Sequence, residues 1–185
     1  MPSPYLYFPD ERLSVAELAA ACLDGHLVAL GDAYIPADAV ETPALRGGSL
    51  RPLLGDTLAA TTLTAAWIHG AAPSPPARYR VQRATDYRLH HVIDRRLDYH
   101  DTPVPMRDLV RIGGVWVTTA VRTLIDLARA GSEADCAAAQ TLLRGGEVTV
   151  GESMRWLEQA GPVRGKRQAR ARLAAWARDQ LDVTR

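Results

Sequence analysis

Between Val110 and Ala130 the chain reads VRIGGVWVTTAVRTLIDLARA, and the spacing of its apolar positions changes partway along. Arg111–Ile112 and Val115–Val117 are β-prone and flank Gly113-Gly114, a dipeptide suited to the positive-φ positions of a tight hairpin turn. Thr118 or Thr119 then offers a hydroxyl to the free N–H groups of a new helix. Val121, Leu124, Ile125 and Ala128 fall at i, i+3, i+4 and i+7, so that helix has one apolar face, and Gly131 is its stop. A hairpin feeding straight into a buried helix is expected at the centre of the main domain.

The same reading extends to both ends. Residues 1–12 are rich in Pro and aromatics and are expected to lie extended over the surface. Ser14-x-x-Glu17 is a capping box opening a short helix, Val15–Leu23, which Asp24-Gly25 stops. His26–Leu30 and Ala33–Ile35 form a hairpin about Gly31-Asp32, and helix followed by hairpin is the second half of a winged helix. Pro36–Asp56 reads as a linker with one helical turn near Leu50–Leu54, and Asp56 as the cap of a helix Thr57–His69 closed by Gly70. Alternation predicts strands at Tyr79–Arg83, Arg88–Ile93 and Leu97–His100. Ser132-x-x-Asp135 and Thr149-x-x-Glu152 cap helices ending at Arg144 and Gln159, and a last helix runs from about Arg164 to Leu181. The expected class is α+β: a short winged-helix-like N-terminal element, a small antiparallel sheet packed with helices, and a helical C-terminal third. The expected division places the N-terminal element and linker at 1–55 and the main domain at 56–185.

Composition narrows the function classes. The chain has 185 residues, 47% hydrophobic and 23% charged, enough for one domain, or for one domain with a small appendage. No apolar run approaches the ~18 residues of a membrane span, and the N-terminus lacks the basic start and apolar core of a signal peptide. Cys22 and Cys136 stand alone, which excludes zinc-finger spacing and a disulfide framework and suits a reducing cytoplasm. The net charge of +1 is unevenly spread: residues 1–60 hold three basic against eight acidic side chains, 61–130 ten against six, and 131–185 nine against seven. Any attraction to nucleic acid must come from the middle and the C-terminus.

Gly114 through Arg129, G-x-x-V-T-x-x-x-R-T-L-x-D-L-A-R, resembles the AbiEi family of bacterial type IV antitoxins, particularly the forms common in actinobacteria. The run Leu63–Gly70, a helix ending in Trp-x-x-Gly, is similar to a second stretch of that family, and the two together cover roughly residues 57–130. The resemblance makes Thr118, Arg122, Thr123 and Asp126 a structural motif. It implies an antitoxin that counters a nucleotidyltransferase toxin and represses its own operon by binding operator DNA through an N-terminal winged helix. Two features depart from that pattern. Too few residues precede Leu13 for the first two helices of such a unit. The helix in the reading position carries Glu17 and no Arg or Lys, although a reading helix needs donors for base edges and cations for phosphates.

DNA contact is therefore expected elsewhere. Arg164, Lys166, Arg167, Arg170, Arg172 and Arg178 run without an intervening acid along the last helix, and could either neutralise phosphates or form a solvated face whose stems cover apolar surface. Arg78, Arg80, Arg83, Arg88, Arg95 and Arg96 form a second cluster, opposed by Asp86, Asp94, Asp98 and Asp101, so that a surface ion-pair network competes with backbone binding there. Arg122 and Asp126, at i and i+4, suit either a clamp holding helix to sheet or a binding contact. His90, His91, Asp94, Asp98, His100 and Asp101 have the residue types of a divalent metal site but not its spacing. Trp67, Trp116, Trp156 and His69 read as core or semi-core. With no phosphate loop or nucleophile elbow, a non-enzymatic regulator without cofactor or metal is expected. The alternative is a protein–protein interaction module that kept the antitoxin fold without binding DNA, and a metal-dependent nuclease or nucleotidyltransferase is a third option.

Overall fold

The computed structural model of the chain describes residues 5–10, 13–90, 92–162 and 164–183. At the N-terminal end the capping box forms as its sequence requires. The Ser14 hydroxyl accepts from the Glu17 N–H at 3.2 Å while the Glu17 carboxylate accepts from the Ser14 N–H at 2.8 Å, and α1 (Val15–Leu23) follows. Leu18 is its one buried residue; Val15 and Leu23 face outward. β1 (Leu27–Leu30) and β2 (Ala33–Pro36) then pair antiparallel, with Leu30 opposite Ala33 across a two-residue turn, and Tyr7 bridges onto Tyr34. Leu30 and Ile35 belong to the same apolar cluster as Leu50, Trp67, Ile68, Val81 and Val117, so one core runs across residue 55.

The helical turn expected near Leu50–Leu54 is α3 (Arg51–Leu54), but the rest of the expected linker holds a further helix, α2 (Pro43–Ser49). Thr42 accepts from the Leu45 N–H at 3.2 Å and Pro43 occupies the first turn, an ordinary helix start. Gly47-Gly48, the pair that makes this stretch look like a loop, is what lets the helix backbone approach the Gly113-Gly114 turn. A Cβ on Gly47 would come within 2.3 Å of the Ile112 carbonyl oxygen, and one on Gly113 within 2.2 Å of that of Ala44. Gly113 and Gly114 both have positive φ, 60° and 87°, as the two-residue turn demands.

The main sheet has five strands in the order β5-β4-β3-β7-β6: β3 (Leu58–Ala60), β4 (Tyr79–Arg83), β5 (Leu97–Pro103), β6 (Leu109–Ile112) and β7 (Val115–Thr118). The hairpin β6·β7 and the pair β3·β4 are antiparallel; β3·β7 and β4·β5 are parallel, so the antiparallel expectation describes half of the pairings. Two further element predictions need correcting. The expected helix Thr57–His69 is the central strand β3 followed by α4 (Thr62–Ile68). Leu58, Ala59 and Ala60 are all buried, and a strand buried on both faces shows no alternation to distinguish it from a helix. The expected strand Arg88–Ile93 does not form in its described residues, and His91 lies outside them. Just before it, Arg83 holds the chain in an irregular path, its Nη1 donating to the carbonyls of Thr85, Asp86 and Tyr87 at 3.3, 3.0 and 2.7 Å.

The C-terminal third is helical: α5 (Ala120–Ala130), α6 (Glu133–Arg144), α7 (Val150–Gln159) and α8 (Lys166–Val183). Thr119 caps α5, and Ser132–Asp135 and Thr149–Glu152 make the two expected capping boxes. Leu124, Ile125 and Leu127 are fully buried in α5 and pack with Leu142, Leu157, Leu173 and Trp176 of the surrounding helices. At about 1.5–3 kcal/mol for each large side chain withdrawn from water, this cluster anchors α5 between sheet and helices.

Candidate nucleic-acid interface

α8 is divided along its length by its own sequence. Ala169, Leu173 and Trp176 are buried against the core, and Arg167, Arg170 and Arg178 are exposed. At 3.6 residues per turn those three arginines fall within an arc of about 80° on the side facing away. Arg164, in the turn before the helix, is exposed as well. Neither its side chain nor that of Arg167 has a hydrogen-bond or ion-pair partner among the described residues. Arg170 lies 3.9 Å from Glu158, a loose pair between side chains that are each about 60% exposed, and such pairs contribute little.

The other two cations predicted for this surface have architectural duties. Lys166 Nζ donates to the Ala160 carbonyl at 2.7 Å, at the C-cap of α7. Arg172 Nη1 donates to the carbonyls of Ala128 and Arg129 at 2.6 and 3.3 Å, supplying the partners that the last turn of α5 lacks. Its guanidinium lies directly over Gly131, which has a φ of 68°; a Cβ there would overlap the guanidinium carbon. The sequence shows a continuous basic run, and the structure divides it into exposed side chains and side chains bonded to backbone carbonyls.

The strand cluster is largely consumed by ion pairs. Arg80 Nε donates to Asp98 at 2.9 Å, Arg83 pairs with Asp101 at 2.7 Å, and Arg88, itself mostly exposed, lies 3.5 Å from the same Asp101. Arg78 donates to the Leu97 carbonyl and so binds β4 to β5. Arg96 bridges Asp94 and Asp32, each at 2.7 Å. Hydrogen bonds from the Arg96 side chain and backbone hold the Asp94 carboxyl down at about 2. Burial alone would raise Asp98, but the hydrogen bond and charge of Arg80, with His100 nearby, outweigh it and keep it low. The carboxylates of the His/Asp cluster are thus turned onto arginines, and the described residues contain no group of three or more His, Cys, Asp or Glu placed to hold a metal ion.

Arg122 and Asp126 are joined to residues that their spacing did not reveal. Arg122 donates to Asp126 at 2.9 Å and to Asp108 at 3.0 Å; Asp126 also accepts from Arg129 at 2.8 Å. Asp108 closes a 3₁₀ turn, Met106–Asp108, and accepts from the indole N–H of Trp156 on α7 at 2.8 Å. The Arg122 guanidinium sits 5.5 Å from the Trp156 ring centroid. Thr118 and Thr123 share a 2.7 Å hydrogen bond, and the His69 Nε2 donates to the Thr118 carbonyl at 2.8 Å. The R-T-L-x-D segment is therefore a buried clamp tying α5 to β7, α7 and the 3₁₀ turn that precedes β6, while His69 at the end of α4 is held to the same β7 residue, Thr118.

Between the β4–β5 side of the sheet and the corner of α5 and α8 lies a cleft of about 380 Å³. Arg80, Gln82 and His100 line its sheet wall, Asp126, Arg129 and Ala130 its floor on α5, and Arg164, Gly165 and Gln168 its rim, with Thr61 and Thr62 at the strand-to-helix corner. It brings together one member of each basic cluster, Arg80 and Arg164. The Arg129 Nε donates to the Arg164 carbonyl at 2.8 Å and holds the rim in place. Thr62 is the one non-glycine residue with positive φ, 52°, among the described residues. Arg129 and Gln168 carried no sequence signal as a site, and only the fold brings them to the strand face that Arg80 and Gln82 share. No protein-family model matches the sequence, and no curated protein matches it.

Proposed function

We propose that the chain is a nucleic-acid-binding regulator of the AbiEi antitoxin type, acting against a nucleotidyltransferase toxin and repressing its own operon, with phosphates met by α8 rather than by α1. The observation that carries this reading is the outward row of Arg164, Arg167, Arg170 and Arg178, exposed while their neighbours Lys166 and Arg172 serve the fold. Cations that face solvent without close carboxylate partners neutralise phosphates at little desolvation cost. α1 has no cation and carries Glu17, which disfavours it as a reading helix. No described helix is long and apolar enough to cross a membrane.

The test is fluorescence anisotropy of the full chain with the duplex upstream of its own gene and a scrambled duplex, across a salt series. Selective binding that weakens steeply with salt is expected. Arg164, Arg167 and Arg170 changed together to Ala should lower affinity and flatten the salt slope by about 2–3, roughly one for each phosphate left without its arginine. Unchanged affinity would remove α8 from the interface. A protein–protein module is the second reading, favoured by exposed Val15, Leu23 and Val28 on the N-terminal element. Failure to bind either duplex would support it.

A further inference from the structure

We propose that the cleft between the sheet and the α5–α8 corner is a binding site for a mononucleotide, a phosphate monoester joined to a flat polar base. Six side chains carry the argument: Arg80, Gln82, His100, Arg129, Arg164 and Gln168. Their charges do not cancel. Asp126 is held by Arg122 and Arg129, Asp108 by Arg122, and Asp98 by Arg80, which leaves the Arg164 guanidinium uncompensated at the rim. His100, 3.5 Å from Asp98 and about half exposed, adds a second donor and a flat ring. A phosphate is the anion that such a rim takes, and guanidinium geometry favours it over a halide.

The remaining lining distinguishes a nucleotide from bare phosphate. Gln82 on β4 and Gln168 on α8 have no side-chain hydrogen bond to any described residue, and each amide offers the paired donor and acceptor that meet a base edge. The volume, about 380 Å³, is that of a small-ligand pocket. Thr62, a β-branched residue in the left-handed region, forms the cleft corner, where the fold pays for an unfavourable conformation; such residues cluster where a ligand is held. The site shares only Arg164 with the outward row of α8, so it stands whether or not that row binds DNA.

The experiment is isothermal titration of the full chain with the four ribonucleoside 5′-monophosphates, the matching nucleosides and inorganic phosphate. At least one monophosphate should bind saturably with Kd below about 1 mM, and its nucleoside at least tenfold more weakly. Arg164→Ala should cost about tenfold without moving Tm, because the Arg129 hydrogen bond goes to the backbone carbonyl, which remains. Gln82→Ala should weaken the monophosphate and leave inorganic phosphate unchanged; Gln168→Ala, on exposed α8 surface, makes the same test away from the sheet. The proposal is overturned if no monophosphate saturates, if monophosphate and inorganic phosphate bind equally, or if Arg164→Ala and both Gln changes leave affinity intact. None of these outcomes depends on the duplex titration, so the two readings fail separately.

Discussion

Arg167 and Arg172 are the same residue type five positions apart on one helix, and what surrounds each decides its role. Arg167 projects into solvent, whereas Arg172 completes the carbonyl end of α5. A charge-assisted hydrogen bond to an otherwise unpaired carbonyl is worth about 1.5–3 kcal/mol. Arg172→Ala should therefore lower unfolding free energy by about 2 kcal/mol and leave duplex affinity per folded molecule unchanged. Arg167→Ala should do the reverse, with stability inside about 0.5 kcal/mol of the parent. Urea denaturation and anisotropy on both variants check this, and equal destabilisation would put Arg167 in the architecture too. The sequence could not separate them, because the carbonyls that Arg172 meets lie more than forty positions earlier in the chain. Arg83 is a similar case: the sequence placed it in a basic surface cluster, but it is buried on β4, where loop carbonyls make an arginine acceptable.

At the scale of elements, legibility followed the range of the determining interaction. α1, α6 and α7 begin where their capping boxes stand, and α5 ends at Gly131, because those signals are satisfied within four residues. β3 was hidden because pairing with β4 and β7, not its own composition, makes Leu58–Ala60 a strand. α2 was hidden because Gly47-Gly48 serves a close helix–turn approach rather than a loop. The clamp lies between these extremes: the Arg122–Asp126 spacing was visible, its partners Asp108, Arg129 and Trp156 were not. Asp126 is 7% exposed and engages two arginines. Asp126→Asn would leave Arg129 without a carboxylate, holding only the Arg164 carbonyl, and Arg122 with Asp108 alone; breaking such a network costs about 3–5 kcal/mol, of which those remaining contacts should recover part. A loss of about 2–4 kcal/mol in chemical denaturation is expected. If stability held and duplex binding vanished, the motif would be a binding surface instead.

Across the whole molecule, the N-terminal hairpin is tied to the sheet by a polar link as well as by the shared core. Asp32, in the β1–β2 turn, accepts from Arg96 at 2.7 Å and from the Tyr79 hydroxyl at 3.4 Å. Burial, more than the opposing charge of Arg96, sets the direction for Asp32, whose carboxyl is raised. Burial and the neighbouring Asp32 push the Tyr79 hydroxyl up from 10.0 to about 12. A raised phenol keeps its proton in the folded chain over a pH range where the unfolded chain has lost it. The folded state then binds more protons, and stability falls as pH rises through that window. The Tyr79 contribution is fully present below pH 10 and is lost between 10 and about 12, as the phenolate would have to form beside Asp32. Tyr99, raised by burial and by its hydrogen bond to Asp101, works in the same direction on the adjacent edge strand, β5. Tyr79→Phe removes one titration and leaves the other, so a comparison of the two chains isolates the hairpin link. The variant should be less stable at pH 8 by about 1 kcal/mol, the worth of an ordinary hydrogen bond. It should also lose less stability than the parent between pH 9.5 and 11.5, so that their denaturation midpoints converge. Parallel midpoint curves across that range would mean that the hydroxyl is not coupled to folding, and that the Arg96–Asp32 pair and the shared core hold the hairpin in place.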